Sequence, residues 1–179
     1  SMFKKIALIG AAAFSMLGNV EAQNADTVRN VEDGGYLFTI QNSIEATDVK
    51  NQYRSGTCWS FSALSFFESE IERMGNGRYN LSEMFVVWHT YSDKAKKTVR
   101  MYGELNFGPG GAFHDVIYVM KHYGMMPDTI YTGLNYGTEK HIHAEMDHVL
   151  KAMVDAVVEN PNKKLSTAWH PAIEGTLEA

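Results

Sequence analysis

The chain has 179 residues, and 45% of them are hydrophobic, which is enough apolar material for the core of one ordinary domain. The net charge of -5 comes from acids and bases interspersed along the chain, without a basic block, and this excludes nucleic acid as an expected partner. No apolar run reaches the roughly 20 residues that a membrane-spanning helix needs, so we expect no membrane anchor.

The first residues have the pattern of an export signal. Two lysines precede an apolar run over residues 6–17, and small residues come before a possible cut after Ala22. A charged start, a short apolar stretch and small residues at the cut are typical of a signal peptide. Residues 1–22 are therefore predicted to be a signal peptide, with Ser1 as a cloning remnant, and we expect export to the periplasm or secretion. The alternative is a buried N-terminal helix.

Residues 23–50 are predicted to form an N-terminal arm. The segment is polar except for one apolar patch over residues 36–40. Such a patch indicates a short strand or a packing arm. No inhibitory pro-domain fits into so short a segment.

Cys58 is the only cysteine, and it lies where a loop of small residues runs into an apolar helix. The positive end of a helix dipole favours thiolate over thiol. Gln52 offers a side-chain amide that can join the backbone N–H of Cys58 in binding an oxyanion. The pattern predicts Cys58 as a nucleophile and Gln52 as an oxyanion donor. The alternative is an ordinary buried cysteine.

Two helices are predicted after the cysteine. The first covers residues 58–74, carries apolar residues on most of its circumference, and is expected to be the buried central helix. Glycines at 75 and 77 end it. Ser82 is a plausible N-cap for a second helix that continues toward Met101.

A glycine-rich loop follows the second helix and includes Gly110 and Gly111. Adjacent glycines allow a ligand's backbone to approach without a Cβ in the way, which suits pairing with an extended peptide. Taken alone, the same loop is also typical of a plain turn. A third helix is predicted over residues 116–123, ending at Gly124.

The segment around the cysteine resembles the active-site segment of papain-like cysteine peptidases. Gln52, Gly56, Cys58 and Trp59 match that family in identity and spacing. Secreted members usually have a second cysteine three residues before the nucleophile, and this chain has Ser55 there. The cysteine-poor version of the motif resembles the bleomycin hydrolase and aminopeptidase C branch.

The resemblance implies an α+β, papain-like two-lobed fold, in which residues 51–179 form mainly the N-terminal helical lobe. It implies a cysteine-type peptidase, aminopeptidase-like, which cleaves peptide substrates through a Cys58 thioester. No cofactor is expected, and a homo-oligomer is possible by the same likeness. Gly110 and Gly111 would pair with the substrate main chain. Trp59 would shield the site from solvent or serve only as a core anchor.

The resemblance also implies a general-base histidine about 130 to 150 residues beyond the cysteine, which lies beyond Ala179. The chain is therefore interpreted as truncated before the β-rich lobe. The histidines present have other interpretations. His114 could form a local pair with Asp115, and His170 could be a loop histidine.

One face of a helix predicted over residues 139–159 would carry His141, Glu145 and His148, and such a face could bind a metal ion. A solvated helix face is the favoured interpretation, and no metal site is expected.

Two hypotheses from other classes stay open. One is a catalytically silent papain-like module that binds peptides, in which Cys58 is vestigial. The other is a thiol sensor, which is disfavoured because no resolving cysteine accompanies Cys58.

Overall fold

The computed structural model describes residues 27–135, 137–162 and 164–179. The chain divides into two compact units, Ser1–Ser43 and Ile44–Ala179. The predicted signal peptide lies outside the described residues.

The described part of the first unit contains a β-hairpin. Strand β1, Thr27–Arg29, pairs antiparallel with β2, Leu37–Thr39, and Val28 stands opposite Phe38. Of the two interpretations of the apolar patch over residues 36–40, a short strand or a packing arm, the structure has the strand, over Leu37–Thr39. Its partner β1 was missed because three residues in a polar stretch are too few to show the alternation of a strand.

The described residues of the second unit form five helices. They are α1 (Cys58–Arg73), α2 (Glu83–Arg100), α3 (Phe113–His122), α4 (Ala144–Val158) and α5 (Trp169–Glu178). A helical unit together with one small sheet is compatible with the α+β class. Within the described ranges, every helix is too short or too polar to cross a membrane.

Helix α2 lies at the centre of the helical unit and packs against the other four described helices. Its Val86, Tyr91 and Ala95 are at most 1% exposed. The sequence predicted α1 for this central position, and that prediction is wrong. One side of α1 is buried, whereas Phe66 is 52% exposed and contacts Phe113 of α3 at the surface.

The ends of α1 and α2 agree with the predicted signals. Helix α1 ends at Arg73, and Gly75 adopts φ +76° just after it, the left-handed conformation that glycine tolerates. Ser82 caps α2, because its Oγ accepts a hydrogen bond of 3.0 Å from the N–H of Phe85.

Helix α3 begins at Phe113, earlier than predicted, because the Asp115 carboxylate accepts a hydrogen bond of 2.8 Å from the N–H of Ala112 and stabilises an earlier first turn. The interpretation of His170 as a loop histidine is also wrong. His170 belongs to α5, where its Nε2 is 3.1 Å from the Oγ of Ser92 on α2.

Buried charges attach the segment before Cys58 to the helices. The ammonium group of Lys50 donates to Glu68 on α1 at 3.2 Å and to Glu83 on α2 at 2.6 Å. The hydroxyl of Thr47 donates to the second oxygen of Glu68 at 2.6 Å. The second unit begins at Ile44, whereas the sequence predicted a start at Asn51. The hydrogen bonds of Lys50 attach the segment before Gln52 to both α1 and α2.

Candidate active site

Cys58 is the first residue of α1, and its side chain is exposed. Within the described ranges, no hydrogen bond or ion pair engages its sulfur. The first N–H groups of a helix have no intrahelical partner, and Thr57 gives α1 no side-chain cap. An accessible thiol therefore stands beside the positive end of a helix. The alternative of an ordinary buried cysteine does not describe this residue.

Two buried hydroxyl groups fix the loop just before Cys58. The Oγ of Ser55 and the Oγ1 of Thr57 lie 2.5 Å apart, and these residues are 1% and 0% exposed. The carbonyl of Thr57 also accepts a hydrogen bond of 2.9 Å from the N–H of Ser60. Where the resemblance leads one to expect a disulfide cysteine, Ser55 forms part of a hydrogen-bonded pair instead.

Gln52 begins a tight turn toward the cysteine. The N–H of Ser55 donates to the carbonyl of Gln52 at 3.3 Å, and Tyr53 and Gly56 adopt φ values of +48° and +68°. The Gln52 side chain is half-buried, and its Oε1 is buried with no hydrogen-bond partner in the described part of the chain. The turn therefore fixes the backbone position of Gln52, while its side-chain amide oxygen forms no hydrogen bond with a described residue.

A distant segment holds this turn in place. Arg54 forms a parallel bridge with Ile142: its N–H donates to the carbonyl of His141 at 3.0 Å, and its carbonyl accepts from the N–H of His143 at 3.2 Å. Burial and the neighbouring His141 ring lower the pKa of His143 to about 4, and burial also lowers the pKa of His141. Both rings are therefore neutral at pH 7, and their backbones anchor the turn.

The bridge corrects the helix predicted over residues 139–159. Helix α4 begins only at Ala144, because Ile142 forms a parallel bridge with Arg54 and His143 is the N-cap. His141 consequently lies outside the helix and cannot share its face with His148. The described residues contain no group of three or more His, Cys, Asp or Glu side chains able to hold a metal ion.

The glycine loop packs directly on the cysteine segment. The indole N–H of Trp59 donates to the carbonyl of Pro109 at 2.9 Å. A Cβ added to Gly111 would lie 2.5 Å from the indole of Trp59, whereas one added to Gly110 would meet open space. Trp59 is 7% exposed and belongs to the core, so its packing favours the core-anchor interpretation over the solvent shield.

Lys94 on α2 holds the same loop. Its ammonium group donates to the carbonyl of Gly108 at 3.2 Å and to the carbonyl of Gly110. Burial lowers the pKa of Lys94, while the charge of Asp115 acts in the opposite direction. Sequence reasoning missed this residue, because a single lysine on a polar helix face has no distinguishing pattern. The main-chain N–H and carbonyl of Gly111 bond to no described residue.

The other candidate histidine lies on the surface. The His114 side chain is 81% exposed, with its Nε2 3.5 Å from a carboxylate oxygen of Asp115. This is the local pair considered from the sequence. Neither His114 nor any other described histidine is hydrogen-bonded to Cys58.

A comparison with protein families matches residues 38–88 to the Papain family cysteine protease model. This segment is similar to a papain-family cysteine protease. The matched range includes Gln52, Cys58 and α1, and it ends within α2 before the glycine loop. A search of curated proteins found no match. Together with the exposed thiol, the match supports a cysteine peptidase-like function.

Proposed function

We propose that this chain carries the nucleophile of a cysteine-type peptidase, with Cys58 as the attacking group. The observation that carries the proposal is the exposed, unengaged sulfur at the first residue of α1, inside the segment that matches the papain family. Reactive cysteines lie in partly exposed, electropositive surroundings such as a helix N-terminus, whereas structural cysteines are buried. Cys58 has the surroundings of a reactive cysteine.

The reaction follows from the groups around Cys58. The sulfur attacks the peptide carbonyl, and a C–S bond forms as the C=O π bond opens to a tetrahedral oxyanion. The C–O double bond then re-forms as the C–N bond breaks, which leaves a thioester and releases the amine. The N–H of Cys58 and the amide of Gln52 supply donors for the oxyanion. Water then hydrolyses the thioester, frees the acid and restores the thiol. The leaving amine also needs a proton, and the resemblance assigns that step to an imidazole on the β-rich lobe.

The finer assignment rests on the resemblance. We infer a two-lobed fold and membership of the bleomycin hydrolase and aminopeptidase C branch, with aminopeptidase activity and a homo-oligomeric assembly as its implications. Export from the cytoplasm is inferred separately, from the signal-peptide pattern of residues 1–22. Ser55 in place of a second cysteine and the short polar segment before Gln52 support this branch. Peptides with a free and an acetylated N-terminus test the exopeptidase assignment, because an aminopeptidase cleaves only the free form.

Covalent labelling tests the nucleophile. An epoxysuccinyl peptide is expected to modify the folded chain at Cys58 faster than the urea-unfolded chain, and Cys58→Ser is expected to abolish the labelling. Gln52→Ala is expected to slow the peptidyl reagent without changing the reaction with iodoacetamide, which forms no oxyanion. A folded chain that reacts no faster than the unfolded chain, and whose rate with the peptidyl reagent is the same in Gln52→Ala, would refute the peptidase assignment and support the silent peptide-binding module.

A further inference from the structure

Three successive carbonyl groups of the glycine loop, those of residues 108–110, accept hydrogen bonds from side chains of the helices beneath them. The ammonium group of Lys94 donates to the carbonyls of Gly108 and Gly110, and the indole N–H of Trp59 donates to the carbonyl of Pro109 between them. Three successive backbone acceptors are thus occupied by two side chains. A bare turn needs no such support, because one internal hydrogen bond is enough to close it.

The position of Lys94 is itself fixed. The residue lies on α2 next to Ala95, which is fully buried, and its ammonium group stands 5.9 Å from the centre of the Trp59 ring. A partly buried ammonium is costly unless it is well bonded, and here two carbonyls and an aromatic face share its charge. The same cation therefore contacts the glycine loop and the residue that follows Cys58.

The occupied carbonyls determine which part of the loop is left for a ligand. The N–H and carbonyl of Gly111 have no partner among the described residues, whereas the carbonyl of Gly110 is taken by Lys94. Gly111 also lies against the indole of Trp59, where any side chain would collide. An extended peptide that pairs with this edge would use both main-chain groups of one residue, as in strand addition.

We propose that Lys94 is a positioning residue for peptide binding: it holds the carbonyls of Gly108 and Gly110 inward and so presents the main chain of Gly111 to the substrate beside Cys58. The role deepens the proposed peptidase function and rests on it. Lys94 touches neither the sulfur nor, in this arrangement, the scissile bond. It acts only through the loop.

The test compares two lysines of the same helix. Lys94→Met keeps the aliphatic stem and removes the donors. Lys97→Met removes an equal charge from a residue whose ammonium faces the Tyr118 ring at 5.3 Å and makes no hydrogen bond to the loop. Because Cys58 is the only cysteine, each labelling rate reports on one site. The measured quantity is the rate with an epoxysuccinyl peptide divided by the rate with iodoacetamide.

We expect Lys94→Met to lower this ratio by roughly tenfold, the change that follows from losing one backbone hydrogen bond to the peptide. The iodoacetamide rate should stay unchanged, and Lys97→Met should keep the ratio of the unaltered chain. Lys94→Arg retains hydrogen-bond donors, so its ratio should lie between those of Lys94→Met and the unaltered chain. If Lys94→Met does not fold, Lys94→Arg is compared with Lys97→Met instead. An unchanged ratio in Lys94→Met, or an equal fall in Lys97→Met, would overturn the proposal.

Hydrogen exchange separates this proposal from the peptidase assignment. If the unaltered chain shows no preference for the peptidyl reagent, the peptidase assignment fails, but the hold on the loop can still be measured. The amide of Ala112, which donates a hydrogen bond to the Asp115 carboxylate, should then exchange faster in Lys94→Met than in Lys97→Met, since only the first variant releases the loop. Equal exchange in the two variants refutes the role of Lys94, whatever the activity.

Discussion

Alanine at Gly111 should destabilise the protein, whereas alanine at the neighbouring Gly110 should not. A Cβ at Gly111 would lie 2.5, 2.6 and 2.9 Å from three ring atoms of Trp59, and one at Gly110 would have no neighbour within 4 Å. The indole is fixed by its burial and by its hydrogen bond to Pro109. It can make room only by breaking that bond and shifting in the core.

The magnitude follows from those two effects. Overpacking costs about 1 to 3 kcal/mol, and the lost hydrogen bond adds about 1 kcal/mol. We expect Gly111→Ala to lower the free energy of unfolding by about 3 kcal/mol, which corresponds to a fall of roughly 6 to 12 °C in Tm for a chain of this size. Gly110→Ala should stay within about 0.5 kcal/mol of the original.

Urea unfolding followed by far-UV circular dichroism, together with a thermal scan, measures both variants. Labelling by the epoxysuccinyl peptide should also slow in Gly111→Ala, because a shifted indole moves the loop beside Cys58. If the two alanine variants have the same stability, the close packing of Gly111 on Trp59 is wrong.

Three further substitutions test the rest of the structure. Glu68→Ala removes the buried partner of Lys50 and should lower the free energy of unfolding in urea by about 3 kcal/mol; a loss below about 1 kcal/mol would mean that the network adds little. The pKa of His143 is about 4 in the folded chain and about 6.5 when unfolded, so the unfolded state binds more protons between these values. Stability should fall as the pH drops from about 6.5 to about 4, and His143→Gln should flatten that slope in urea titrations at successive pH values; an unchanged slope contradicts the assignment. Tyr91→Phe removes a hydrogen bond of 2.5 Å to Asp147 and should lower the free energy of unfolding, measured in urea, by about 1 to 3 kcal/mol. An unchanged free energy of unfolding would show that the two groups are not bonded in solution.

The parts of the fold that could be predicted are those encoded by neighbouring residues. The apolar repeat after Cys58 and the Ser82 cap indicated α1 and α2, because helix periodicity and capping act over a few positions. The cysteine and glycine segments could likewise be selected from the sequence as candidates, since a lone thiol before a helix and a pair of glycines are distinctive.

The remaining parts depend on contacts between distant residues. Nothing in the sequence near Ile142 shows that it will form a parallel bridge with Arg54, and that contact decides where α4 begins. Lys94 is one of several lysines on α2, and only the folded chain brings it to the glycine loop. The central place of α2 was hidden for the same reason, because periodicity reveals which side of a helix is apolar but not how many neighbours it will have.

The bridge between Arg54 and Ile142 also bears on the order in which the protein can mature. A ribosome makes the turn before Cys58 well before it makes the segment that fastens this turn. A nascent chain that ends before His141 would already expose its thiol, but its Gln52 turn would still lack the backbone bonds that set it. Reactivity dependent on that turn should therefore arise only after the segment around Ile142 has emerged.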